Sequence, residues 1–356
     1  MTQATTQTIG MDVSDKKSRI CVLSASGEIV DERWIDTTQH GVRRFFAQQP
    51  PSRVVFEAGP HALWMTWRLA ELGHEVLVAN PRNLGLIYAS RKKSDPQDAR
   101  RLAQLGRVDP DRLSPVTLRG RDTQWHLAQI RSRAMLVEAR TKRVNHVRGR
   151  VKTLGHRVRS CDADPFAAAA MDSLPPELVT VVMPVLKAIV ELTEQLDALD
   201  RAIEAIAATR YAETVRRLTQ VHGVGALTAL TFLLTLDDPS RFPHSRRVGA
   251  YLGLVPRLDP SGEVNRQLGI THAGETYLRT LLVGCAHTIV RQGSPDTDLK
   301  RYGLRVMERG GKNAKKRAVV AVARKLAVVL HRLWVSGEAM SPWATARCTP
   351  RPPEMR

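Results

Sequence analysis

Residues 8–37, TIGMDVSDKKSRICVLSASGEIVDERWIDT, contain three runs rich in aliphatic and β-branched side chains, separated by polar or glycine-bearing breaks. "TIGMDVS", "SRICVLSA" and "EIVDERWIDT" each have the length and composition of a strand, and "SASGE" supplies a tight turn between the last two. Beyond them, "GVRRFFAQQ" reads as a short helix ending at Pro50-Pro51, and "SRVVFEA" as a fourth strand. "ALWMTWRLAELG" is an amphipathic helix that stops at Gly73, and "HEVLVAN" is a fifth strand ending before Pro81. Three strands joined by turns and then a β-α-β unit predict a mixed sheet with helices on its faces. Strict α/β alternation would predict a purely parallel sheet. This α/β region is expected to occupy residues 1–112.

Residues 113–215 follow a different period. Leu178, Val182, Val185, Ile189, Leu192, Leu196, Leu199, Ile203 and Ile206 recur at alternating spacings of four and three, the seam of a coiled coil. Pro184 falls inside the seam and is expected to kink or restart the helix. Leu127, Ile130, Ala134, Val137, Thr141, Val144 and Val151 form a weaker seam, and "DADPFAAAAMDSLPPE" separates the two. Two long helices with a hairpin between them is the economical reading, and closure within one chain or between chains stays open. Residues 216–340 read as a mostly helical domain that ends in a basic helix from Asn313 to Trp334. The remainder, 341–356, has little to bury and is expected to be disordered.

The 356 residues are enough for two or more cores, and 43% of them are hydrophobic. No apolar run approaches the length of a membrane span, and the N-terminus lacks a signal pattern, so a cytoplasmic protein is expected. Cys21, Cys161, Cys285 and Cys348 show no C-x-x-C spacing, which fits a reducing compartment and argues against zinc knuckles. Lys and Arg number 54 against 35 acids, a net charge of +19, as expected of a protein that neutralises phosphate. Two stretches concentrate that charge. Residues 131–160 hold a single acid, Glu138, and residues 300–333 a single acid, Glu308. Solvated faces usually mix both signs, so one-sided charge favours nucleic acid. The candidate contacts are Arg140, Lys142, Arg143, Arg148, Arg150 and Lys152 in the first stretch, with Lys312, Lys315, Lys316 and Arg317 in the second. With aromatics at 5%, binding is expected to rest mainly on phosphate.

Four acids stand in suggestive places. Asp12 sits inside the first strand, Glu57 ends the fourth, and Asp95 and Asp98 open the helix "SDPQDARRLAQL". Helix capping by itself accounts for the last two. A carboxylate inside a strand is costly unless it is paired or ligates a cation, so Asp12 is the most diagnostic of the set. If the four converge, they need divalent cations to offset their repulsion, and Mg²⁺ prefers such hard oxygen ligands. In the C-terminal half, "LVPRLDPSGEVNRQLG" places Ser261 in a turn, where the local reading is a turn serine. "VHGVGALTAL" allows Gly223 and Gly225 to bring backbone amides to a phosphate, or to form a plain helix-to-helix turn.

"IGMDVS", "VVFEAGPH" and "KSDPQDARRLA" together resemble the N-terminal domain of the DEDD transposases of the Insertion Sequence 110 family. "GLVP…SG…GIT…G…LR" resembles that family's C-terminal domain, so the likeness covers nearly the whole chain. The resemblance implies a fold of α/β plus α type: an RNase H/RuvC-like mixed sheet, a long helical coiled-coil linker and a mostly helical C-terminal domain. It further implies that Asp12, Glu57, Asp95 and Asp98 bind Mg²⁺, as two ions, and that Ser261 attacks DNA to form a 5′-phosphoserine intermediate. DNA, a structured non-coding guide RNA and further copies of the chain are the implied partners. Two other readings stay in view: a metal-dependent structure-specific nuclease that uses water, and a non-catalytic nucleic-acid-binding protein.

Overall fold

A computed structural model describes residues 7–81, 95–261 and 264–338, and of 95, 96, 258–261 and 264–267 the backbone alone. The expected tail at 341–356 lies outside the described residues. The chain forms two compact units, Met1–Arg121 and Asp122–Arg356.

The first unit is a five-stranded mixed sheet in the order β3-β2-β1-β4-β5. Strands β1 (Gln7–Asp12), β2 (Lys17–Ser24) and β3 (Ile29–Asp36) form an antiparallel meander. Helix α1 (Gln39–Phe46) leads to β4 (Arg53–Glu57), which pairs parallel to β1. Helix α2 (Ala62–Glu71) then leads to β5 (Glu75–Ala79), parallel to β4. The mixed sheet is thus the one expected from the sequence. On one face Ile9, Met11, Ile20, Val54 and Phe56 pack with Val42, Phe46, Met65 and Leu69 of α1 and α2. The other face takes α3 (Asp95–Val108), through Ala99 and Ala103 against Cys21 and Leu23, and Leu102 against Val55. The unit continues past residue 112 because the chain runs back along β5. Asn80 N–H donates to Leu113 O, and Val116 N–H donates to Val78 O.

The second unit begins with two long helices, α4 (Arg121–Thr153) and α6 (Pro176–Thr209), with the short α5 (Phe166–Ser173) between them. Arg133 pairs with Asp200, and Arg140 donates to Thr193 Oγ1, so seven residues forward on α4 is seven back on α6. The hairpin therefore closes within one chain. On α6 the row Val182, Ile189, Leu196 and Ile203 is buried, whereas Leu178, Val185, Leu192, Leu199 and Ile206 are half-buried. On α4, Thr141 is exposed and Val147 is buried. Helix α6 runs unbroken through Pro184, so it does not restart there. Pro184 and Thr180, whose carbonyl loses its helical partner, both lie on the exposed side, where water can take that carbonyl.

The remainder of the unit comprises α7 (Ala212–Leu218), α8 (Ala226–Leu236), α9 (Arg246–Tyr251), the hairpin of β6 (Pro256–Ser261) and β7 (Val264–Ile270), and helices α10 (Thr276–Val290), α11 (Asp298–Glu308) and α12 (Ala314–Ser336). Its core is built on α8, α10 and α12, with Phe232, Leu282 and Leu326 fully buried. Among the described residues no helix is long and apolar enough to cross a membrane.

Candidate functional site

Asp12 and Glu57 come together through the sheet. Met11 stands opposite Phe56 in the parallel β1–β4 register, so the next residue on each strand, Asp12 and Glu57, ends neighbouring strands. Side chains alternate along a strand. Met11 and Phe56 face α1 and α2, so Asp12 and Glu57 face the α3 side. Helix α3 reaches that side closely because Gly10 has no side chain. A Cβ there would lie 2.1 Å from Ala99 O and 2.5 Å from Ala103 N. Asp98 directly precedes Ala99, so the first turn of α3 lies toward the Asp12 end of β1. Farther along, Gly106 packs on Val55 and Thr8, which sets the helix antiparallel to β1. Asp98 makes an ion pair with Arg101 at 3.9 Å.

Asp95 begins α3, but its side chain lies outside the described residues. Among the described residues no three His, Cys, Asp or Glu side chains form a ready metal-binding group. The donor chemistry nonetheless suits a hard divalent cation, since carboxylates from two strand ends and one helix turn share one side of the sheet.

A clamp that local sequence does not announce holds α3 to the edge of the sheet. Arg100 donates through Nε to Glu32 Oε1 and, at 2.7 Å, through Nη2 to Glu32 Oε2. Arg19 reaches the same carboxylate at 3.3 Å. The Arg100 hydrogen bond, followed by its charge, holds the Glu32 carboxyl below the usual carboxylate range. Burial, followed by the nearby Glu32 charge, pushes the Cys21 thiol up to about 11, so it stays protonated at neutral pH. At the start of α2, His61 accepts a hydrogen bond from Trp64 Nε1 at 3.0 Å and lies 3.4 Å from Asp15.

Ser261 ends β6 and stands opposite Val264 across the turn. Its backbone is described, but its side chain lies outside the described residues. The neck of this hairpin is fastened by unusual backbone and one buried cation. Gly253 and Gly274 have φ of +66° and +74°, and Cβ atoms there would lie 2.3 Å from Ala273 O and 2.0 Å from Tyr251 O. Neither position accepts a side chain. Arg279 is buried, and its Nη1 donates to Leu252 O at 2.9 Å and Ala273 O at 2.8 Å, tying both sides of the neck. Its Nη2 donates to Thr276 Oγ1. The "LR" of the sequence motif thus carries a structural cross-link that its spacing did not reveal.

The candidate nucleic-acid contacts divide by environment. Arg140 turns inward, paired with Asp164 and Thr193 and only 14% exposed, so its charge is largely committed to the fold. Lys142 pairs with Glu138 at 2.6 Å, and Arg143 donates to Ala139 O. Arg148 donates to Cys161 O and lies over the Phe166 ring, with Lys152 beside it in a basic cleft, while Arg150 is exposed. Lys312, Lys315, Lys316 and Arg317 are exposed around the N-terminus of α12. Cations there oppose the helix dipole, so the cluster is not explained by helix stability and suits an anionic partner. Gly223 has φ +84° and faces Cys285 O of α10, so packing accounts for this glycine. Gly225 caps the start of α8 and opens on free space.

Comparisons with known proteins match two stretches of the chain. Residues 9–155 match the DEDD transposase family of the IS110 type, and residues 215–302 match the transposase family IS116/IS110/IS902. A protein of Pseudomonas aeruginosa described as a probable family 20 transposase is 29% identical over 331 residues, covering 91% of this chain and 96% of its own length. The transposase for insertion sequence element IS1111A of Coxiella burnetii is 27% identical over 333 residues, 91% of this chain and 88% of that protein. The transposase for insertion sequence element IS1328 of Yersinia enterocolitica is 28% identical over 287 residues, 80% and 84% of the two lengths. The mixed sheet with its acid-bearing edge is consistent with a RuvC-like DEDD fold, and the class it defines with these matches is a transposase, an enzyme acting on DNA. The chain belongs to the IS110 family of insertion-sequence transposases.

Proposed function

We propose that this transposase mobilises its element by cleaving and rejoining DNA through Ser261. The Ser261 hydroxyl oxygen attacks the phosphorus, the bond from phosphorus to the 3′ oxygen breaks, and the serine proton ends on that 3′ oxygen. The products are a 5′-phosphoserine linkage and a free 3′ hydroxyl. Because one phosphoester replaces another, the 3′ hydroxyl of a second strand can reverse the step and rejoin DNA without an outside energy source. Asp12, Glu57, Asp95 and Asp98 hold the divalent metal, in our reading two Mg²⁺ ions, which when bound offsets phosphate charge and activates the attacking oxygen. The exposed lysines around the start of α12 and the Arg148–Lys152 region bind phosphates of DNA and of a structured guide RNA. Several copies of the chain act together, since exchange between two duplexes needs more than one attacking serine.

The observation that carries this reading is the hairpin. A neck pinned by Gly253, Gly274 and Arg279 supports the β6–β7 hairpin, with Ser261 at the end of β6 beside the turn. The test is to incubate protein with element-end DNA, its RNA and Mg²⁺ and to look for a denaturant-resistant protein–DNA adduct. The wild type is expected to form it and Ser261→Ala to lose it. Cleavage that persists in Ser261→Ala but disappears in Asp98→Asn would instead identify a nuclease that uses water.

A further inference from the structure

The carboxylates stand at one end of a longer row. Asp12 is opposite Arg19 in the β1–β2 register, and Arg19 is opposite Trp34 in the β2–β3 register. Glu57, Asp12, Arg19 and Trp34 therefore cross the sheet side by side, one strand apart. They share the α3 face, since Glu32, two residues before Trp34, reaches Arg100 of α3. At the spacing of neighbouring strands, Trp34 stands about 10 Å from Asp12.

Trp34 is 45% exposed and stands on the edge strand of the sheet. The Arg19 guanidinium lies over its ring at 5.7 Å, and Arg19 Nε is buried without a hydrogen-bond partner among the described residues. A cleft of about 420 Å³ at this edge, lined by Arg33, His40 and Arg44, opens on the opposite, α1 side of β3 and is separate from the row. Lys17, two residues before Arg19 on β2 and so on the same face, is exposed. Arg33 is partly neutralised by Asp31 at 2.7 Å.

The geometry points to a nucleotide subsite here: Trp34 stacks an unpaired base of a single strand, while Lys17, with the Glu32-paired Arg19 behind it, meets the phosphates that run from it toward Asp12 and Glu57. The inference rests on reading that edge as the place where a strand is cleaved. The polarity of the row suits a nucleotide, with an aromatic surface for the base, then a cation for the phosphate, then the acids. A duplex base is already stacked, so the ligand is a strand that has been opened. The exposed Ile29 and Val30 also lie on β3, but Asp31, Arg33 and Asp36 charge this edge strand and disfavour strand addition by a second copy.

The experiment measures binding of single-stranded DNA and of RNA of the same sequence to the full chain, across a range of salt. Trp34→Ala is expected to weaken binding about tenfold with an unchanged salt slope, and Trp34→Phe to restore most of it. Lys17→Gln is expected to reduce the salt slope by about 0.7. A 5-iodouracil base in the strand should photocrosslink to Trp34. Loss confined to DNA assigns the subsite to the substrate strand, and loss confined to RNA assigns it to the guide; either upholds the stacking site. Wild-type affinity for both in Trp34→Ala, with no crosslink, overturns it. So does a Trp34→Ala variant that loses only self-association in sedimentation. Binding and crosslinking need no strand cleavage, so failure of the serine mechanism leaves this result readable.

Discussion

At the carboxylate edge, Asp12, Glu57 and Asp98 each belong to an element with its own place in a core. Two end adjoining strands of a five-stranded sheet, and the third lies in the first turn of a helix seated against Gly10. The hairpin that carries Ser261 is built differently. A two-stranded ribbon is marginal by itself, and here order comes from its neck: two glycines in left-handed backbone and one buried arginine. The acids are placed by packing over many residues, whereas the serine is placed by a few polar bonds at a distance from it. Damage to the first should be felt as lost stability, and damage to the second as lost chemistry.

Gly10→Val puts this to the strongest test. Its side chain meets backbone atoms of α3, which cannot move aside as a side chain can, so the cost falls at or above the upper end of about 1–3 kcal/mol for overpacking. Thermal melting of the first unit should drop, and strand cleavage should vanish with it. Wild-type melting with lost cleavage would mean that α3 shifts freely, and the contrast would fail. Arg279→Ala comes next. It leaves the Leu252 and Ala273 carbonyls without their buried donor, a local cost of about 1–3 kcal/mol. Hydrogen exchange over β7 should quicken and cleavage should fall while DNA binding persists, with Arg279→Lys intermediate. An unchanged exchange rate would remove the neck as the support of the hairpin.

The smallest effect concerns pH and belongs to the first unit. His74 is buried, accepting from Ser52 N–H while its other ring nitrogen lies 3.1 Å from Phe46 O. Burial lowers its pKa from an ordinary value near 6.5, against the opposing effect of the Phe46 hydrogen bond. The folded state thus keeps the ring neutral where the unfolded chain takes up a proton. Stability is therefore full above about pH 6.5 and declines as pH falls toward the lower folded value. Exchange protection of β4 and β5 should weaken over that window, by less than either substitution above, and His74→Gln should flatten the dependence.

Much of this was legible because it is local. Strand runs, the β-α-β unit and the helix beginning at Asp95 can be read from neighbours a few residues apart, and so Asp12, Glu57, Asp95 and Asp98 could be named together. The Glu32–Arg100 clamp could not, since its partners are 68 residues apart and neither is unusual where it stands. Arg279 was visible as part of a motif but not as a cross-link. Among the basic residues, composition marked the stretches, yet Arg140 turns into the hairpin while Lys315 and Lys316 face solvent. Pro184 shows the converse: local sequence allowed a restart, and the helix instead continues through the proline, which it bears on its outer side.

By itself, the sequence determined the mixed sheet, the two long helices, the transposase family and the acids and serine that are its candidate machinery, because period, turn chemistry and motif are properties of contiguous residues. Tertiary structure alone decided that the helix hairpin closes within the chain, that Gly10 brings the Asp98 turn toward Asp12, and that Trp34 and Arg19 continue the row of acids. Those relations depend on strand register and on close approach between distant segments, where a shift of one residue would turn each side chain to the other face.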